Sequence, residues 1–358
     1  MTTGAGRHER PLGRPRRWRV RNSVLAVVLA GGVAAAGAGL LGGRAGAGLQ
    51  GGRAGAGRCT VSATLVPSCG AWWGMYLPVD DDSQLPHAVQ SEEKYLGRPI
   101  DIVERYHDMS VSDNGVFPDR AEEQIAADRY ILFSWAADVW STHTLYKWST
   151  IASGALDRSV IDPEAQRIAA FHHTVFLTFS AEPDGAVPQQ GTPAQFVAAW
   201  RHIHDVFAKL GVHNVIWVWT TEGYLPHEQT IAAMYPGNAY VDWIGYDPYN
   251  YFDCHHAAWL SFAQTVEPFY RWLTTQPFGG KPIMLSEFGS AADPKAPDRE
   301  AAWYQSIVPA LRQMPRLKAL TQWNSSIPGC DLGVPRNSPE ALAYRQTGLS
   351  PYLRKETP

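Results

Sequence analysis

Two glutamates in this 358-residue chain occupy comparable places. The apolar run Val175-Phe176-Leu177-Thr178-Phe179 passes through Ser180 and Ala181 to Glu182, and Pro282-Ile283-Met284-Leu285-Ser286 passes directly to Glu287. Two carboxyls facing each other across the open end of a fold can hydrolyse an acetal. One protonates the leaving oxygen while the other attacks the anomeric carbon or activates water. Aromatic side chains stand at or near the ends of other runs: Trp72, Trp73, Tyr106, Trp135, Trp219, Tyr246, Tyr249 and Trp323. The apolar C–H face of a sugar ring stacks on indole and phenol, so this set points to a carbohydrate cleft. Glu182 and Glu287 are therefore the candidate catalytic pair. Trp72, Trp135, Trp219, Tyr246, Tyr249 and Trp323 are the candidate binding residues.

Short apolar runs at 71–77, 100–106, 130–135, 174–179, 214–219, 241–246, 282–286 and 317–322 read as strands. Amphipathic stretches at 87–96, 120–127, 163–171, 193–210, 229–234, 259–275, 298–313 and 339–346 read as helices. Thr192-Pro193 and Gly211 mark one helix at both ends. Runs that are apolar throughout suit strands covered on both faces. Eight strand-then-helix units give an α/β fold, a (β/α)8 TIM barrel, with its site at the C-terminal ends of the strands. A doubly wound open sheet is the other reading, but no GxGxxG loop follows the first strand, where Leu77-Pro78-Val79-Asp80-Asp81-Asp82 stands instead.

The formal net charge of -3 conceals two opposed parts. Residues 1–58 hold ten arginines against the single acid Glu9, leaving 21 basic and 33 acidic residues in 59–358. So acidic a body argues against nucleic acid as a partner. Arginines before residue 22, then an apolar run over 23–41, read as a signal peptide (1–41), or else as a retained N-terminal anchor. A Gly/Ala-rich linker follows at 42–58, and the barrel takes 59–358. The chain is expected to be secreted, or membrane-anchored and facing outside. Cys59, Cys69, Cys254 and Cys330 lack metal-type spacing and allow three pairings. Cys59–Cys69 would close a short loop before the first strand, and Cys254–Cys330 would join two late loops.

On these residues the chain resembles glycoside hydrolase family 26 of the clan A glycosidases, best known for endo-β-1,4-mannanases, and within it a secreted member of actinobacterial type. The resemblance covers about 70–350. It rests on Ile151-Ala152-Ser153-Gly154-Ala155-Leu156-Asp157, Val215-Ile216-Trp217-Val218-Trp219 and Leu285-Ser286-Glu287-Phe288-Gly289. Its most specific part runs from Tyr235-Pro236-Gly237 to Val241-Asp242-Trp243-Ile244-Gly245. The resemblance implies that Glu182 is the acid/base and Glu287 the nucleophile of a retaining mechanism, with carboxyls roughly 5–5.5 Å apart. It places Tyr249 near the nucleophile and Trp323 as a platform under the reactive sugar. It implies a polysaccharide or oligosaccharide substrate, no cofactor, no metal and a monomer. Ala181 stands where the family usually has His, Thr178 near a usual Arg, and Ala136 where a His follows the third-strand Trp. Residues 186–190 lack the family's tryptophans.

The expected activity is that of an endo-β-1,4-mannanase. The alternatives are action on mixed-linkage glucan or xylan, or a barrel that binds glycans without cutting them. His172 and His173 fall at the end away from the cleft, whereas His255 and His256 follow Cys254 on the cleft side. Pro226-His227-Glu228-Gln229-Thr230 lacks the second histidine of a zinc-protease helix. Asp80-Asp81-Asp82 reads as a solvated acidic loop.

Overall fold

The computed structural model describes residues 59–353; the expected signal peptide or anchor and the linker lie outside the described residues. Eight parallel strands close on themselves: β1 (Trp72–Tyr76), β2 (Ile102–His107), β3 (Tyr130–Trp135), β4 (Val175–Phe179), β5 (Val215–Thr221), β6 (Trp243–Tyr246), β7 (Ile283–Ser290) and β8 (Leu317–Trp323). Each pairs with the next, and β8 returns to β1 with Trp72 opposite Ala319. A helix follows each strand: α1 (Leu85–Leu96), α2 (Arg120–Ala126), α3 (Asp162–Phe171), α4 (Pro193–Lys209), α5 (Glu228–Ala233), α6 (Phe262–Thr275), α7 (Asp298–Gln305) and α8 (Pro339–Gly348). The chain is a (β/α)8 barrel.

Local chemistry sets the helix ends. The Thr192 side chain accepts from Gln195 N–H while the Gln195 side chain accepts from Thr192 N–H, and Pro193 occupies the first turn of α4. The same reciprocal pair, Ser261 with Gln264, starts α6 at Phe262 rather than at 259. The stretch expected as one helix over 298–313 divides at Ser306 into α7 and a short turn, Ile307–Leu311. Pro309 has no N–H to bond back to Gln305.

Side chains alternate between two apolar clusters, one inside the barrel and one between barrel and helices. Trp72, Ile102, Tyr130, Leu132, Phe176, Ile216, Val218, Trp243, Met284 and Ala319 fill the interior. Their strand neighbours Trp73, Val103, Ile131, Phe133, Leu177, Trp217, Ile244, Leu285 and Leu320 face the helices. The segment before β1 closes the N-terminal mouth. Cys59–Cys69 makes it a loop, Leu65 enters the interior cluster, and the indoles of Trp72 and Trp243 donate to the carbonyls of Leu65 and Thr64, each at 2.7 Å.

Candidate active site

The barrel opens at the strands' C-terminal ends, where two backbone irregularities aim the glutamates. Leu285 and Phe288 both face the helices although three positions apart, so one extra residue must lie between them. The register shift between β7 and β8 supplies it: Leu285 opposes Leu320 while Phe288 opposes Gln322. This bulge turns both Ser286 and Glu287 inward, whereas strict alternation would send Glu287 toward the helices. At β4, Ser180 (φ 47°) and Glu182 (φ 52°) adopt the left-handed conformation that non-glycine residues avoid. Glu182 N–H donates to Thr220 O at 3.2 Å, tying this tight turn to β5.

Glu287 is gripped on three sides. Tyr106 Oη donates to its Oε1 at 2.7 Å, Tyr249 Oη donates to its Oε2, and its own N–H donates to Asp247 Oδ1 at 2.9 Å. Among the described residues none donates a hydrogen bond to the Glu182 carboxyl. Burial raises both glutamates above the ordinary carboxylate range. For Glu182 the negative charge of Glu287 raises it further, whereas the two phenols pull Glu287 back down. The pair is therefore held apart, with Glu182 favouring its proton and Glu287 its charge. Burial and Glu287 also raise the Tyr249 phenol, which stays a donor.

Aromatic rings surround Glu287. Trp323 lies nearly parallel to Tyr76 at 6.1 Å and meets Tyr249 edge-on at 6.2 Å. Tyr76 meets Tyr106 edge-on at 4.9 Å, and Tyr251 stacks on His255 at 4.1 Å. Tyr76, Tyr106, Tyr249, Tyr251 and Trp323 are all half-buried, as a ring lining an open cleft should be. Cys254–Cys330 bridges the loop after β6, which carries Tyr249 and Tyr251, to the loop after β8, which follows Trp323. Cys59–Cys69 is the second bond, so both expected pairings form.

Four expected binding residues lie elsewhere. Trp72 faces the barrel interior at the closed end, and its indole bonds to Leu65 O. Trp135, Trp219 and Tyr246 have the strand parity that faces the helices. Trp135 donates to Asp108 O at 3.0 Å, Trp219 packs on Tyr235 and Phe278, and Tyr246 donates to Val266 O at 3.0 Å. All four are at most 1% exposed and cannot touch a sugar. Trp73, similarly, packs on Tyr344. Inward parity instead brings Tyr76, Glu104 and Asp247 to the site. Gly245 leaves its place on β6 bare, because a Cβ there would stand 2.1 Å from Ser286 Oγ.

Asp184, Glu222 and His227 are the His, Asp or Glu residues whose ligating atoms gather within 4.8 Å among the described residues. They bind one another. Asp184 Oδ1 accepts Glu222 N–H at 3.1 Å, and His227 Nδ1 lies 3.3 Å from both Asp184 Oδ2 and Glu222 Oε2. Burial and Asp184 push Glu222 up to about 7. Asp82 is exposed, as expected, and also pairs with Arg105.

Comparison with known proteins follows the same lines. Residues 185–274 match the model of glycosyl hydrolase family 26. The matched segment runs from the turn after Glu182 into the last turn of α6, with Glu182 just before it and Glu287 shortly after. Over 278 residues, 72% of its length, the chain is 27% identical to Endoglucanase H of Acetivibrio thermocellus. It spans 28% of that protein. Among solved structures it resembles a family-26 β-mannanase from Bacteroides ovatus, with TM-score 0.58 and 16% identity over 80% of this chain and 90% of that one. The catalytic domain of a family-26 endo-β-1,4-mannanase from Bacillus sp. JAMB-750 gives TM-score 0.59 and 15% identity over 79% and 86%. A β-mannanase from a symbiotic protist of the termite Reticulitermes speratus gives 0.54 and 18% over 79% and 88%. These likenesses establish the shared barrel.

Proposed function

We propose that the chain is a retaining family-26 glycoside hydrolase that cuts internal β-1,4 bonds of a mannan-type polysaccharide. The observation that carries this reading is the asymmetry of the two buried glutamates. Both oxygens of Glu287 accept a phenol hydrogen bond, and Glu182 accepts none and feels the Glu287 charge. Glu182 therefore protonates the glycosidic oxygen as Glu287 attacks the anomeric carbon. The resulting ester is hydrolysed by water that Glu182, now ionised, deprotonates. Trp323 and Tyr76 offer the sugar an apolar face. The mechanism needs no group beyond these side chains and water. The expectation of an exported enzyme rests on the basic-then-apolar leader and gains support from the two disulfides.

A second substrate, a β-glucan, is favoured by the match to a protein named Endoglucanase H. The purified protein is to be assayed on mannan, mixed-linkage glucan and xylan, with the product anomer followed by NMR. We expect β-anomers first, with viscosity falling faster than reducing ends accumulate, and E287A inactive. Inverted anomers, or full activity in E287A, overturn the mechanism. Binding without release from any substrate leaves a glycan-binding barrel.

A further inference from the structure

We propose that Glu104 is a positioning residue that acts on the nucleophile through Tyr106: it donates its own proton to Tyr106 Oη, so that Tyr106 commits its hydrogen to Glu287. The proposal rests on the reading of Glu287 as nucleophile. Glu104 and Tyr106 stand two apart on β2 and so share the inward face. Tyr106 Oη lies 2.7 Å from Glu287 Oε1, and Glu104 lies close enough to feel both the Tyr106 hydroxyl and the Glu287 charge. A phenol has a single proton to give. With a carboxyl on each side of it, only one can be served, and the other must bring its own proton. Glu104 is the better place for that proton. It is 1% exposed, its Oε2 has no partner, and no Lys or Arg among the described residues is paired with it, whereas Glu287 also accepts from Tyr249. A neutral acid tolerates such a site far better than an ionised one.

The groups facing Glu104 are Tyr76 on β1, Tyr106 on its own strand, Glu182 after β4, Asp247 after β6 and Glu287 on β7. Burial, Glu287 and Glu182 favour its neutral form and outweigh the Tyr106 hydroxyl, which favours the charged one. As pH rises far enough to ionise it, Glu104 competes for the Tyr106 hydrogen and sets another negative charge before Glu182.

Two arms test this. In the first, infrared spectra of wild type and E104Q at neutral pH are subtracted; we expect the carbonyl stretch of one protonated carboxylic acid in wild type and not in the variant. Its absence overturns the proposal, whether or not the protein has activity. In the second, Y106F and E104L each lower kcat about tenfold, the worth of one modest hydrogen bond to a charged group, with KM little changed. The double variant E104L/Y106F falls no further than Y106F, and E104Q, whose amide can still donate to Tyr106, recovers most of the loss. Multiplying losses in the double variant, or E104Q as poor as E104L, overturn it. If the band is present but no substrate is turned over, the glycosidase reading fails and the proton assignment stands.

Discussion

Replacing Tyr249 by Phe removes one of the two phenols that hold Glu287 while leaving every formal charge in place. A hydrogen bond to an ionised group is worth about 1.5–3 kcal/mol. Its loss from a carboxylate corresponds to an upward shift of roughly 1–2 pKa units, at about 1.4 kcal/mol per unit. Glu287 is already raised by burial and is lowered by Tyr249 first and Tyr106 second, so Y249F moves it further up. As the proposed nucleophile, Glu287 must be ionised to attack. The acid limb of kcat/KM therefore moves to higher pH by about 1–2 units. On the same proposal the basic limb belongs to Glu182, whose shift comes from burial and from the charges of Glu287, Glu222 and Asp184, none of which the substitution removes. That limb stays in place. A full pH–rate profile on a soluble oligosaccharide reads both limbs at once. An acid limb that stays put, or a basic limb that moves alone, refutes the assignment of Glu287 as nucleophile.

Trp323 and Trp135 separate cleft from core: W323A raises KM with thermal stability nearly unchanged, whereas W135A loses about 3–5 kcal/mol of stability, both read by denaturant unfolding and initial rates. Removing the bond that closes 76 residues, with C254S/C330S, costs about 4 kcal/mol on a chain-entropy estimate. It also lowers kcat/KM, because Tyr249, Tyr251 and Trp323 lose their shared tether; unchanged kinetics would deny that role. Buried Glu300 is raised from 4.5 to about 8 by burial and by Glu340 and Asp331. The folded state thus holds its proton more tightly than the unfolded chain. The stability contributed by this group is full below pH 4.5 and is lost as pH rises through 8, about 5 kcal/mol at roughly 1.4 kcal/mol per pKa unit. E300Q removes that slope, and urea titrations at pH 5 and 8 measure it.

The barrel was legible because its strands are covered on both faces and read as unbroken apolar runs, and because caps such as Thr192 with Gln195 punctuate the helices. The two glutamates were legible as run ends, but their aim was not. Glu287 turns inward through a bulge, and Glu182 through a positive φ, neither of which leaves a mark in residue type. The aromatic assignments fared unevenly because run-end position ignores parity. Counting by twos from Trp72 or Ile102 leads to Tyr76, Glu104 and Tyr106 in the interior. The same count sends Trp135, Trp219 and Tyr246 to the helices. Glu222 and His227 join Asp184 only through packing of the loops after β4 and β5, and His227 in its own sequence context looked like half of a zinc motif.

The loop closed by Cys59 and Cys69 fixes where anything upstream must attach. It plugs the barrel at the end remote from Glu182 and Glu287, so a tether ending at Cys59 reaches the catalytic module from behind. A polymer chain lying across the open mouth is then on the face opposite Cys59.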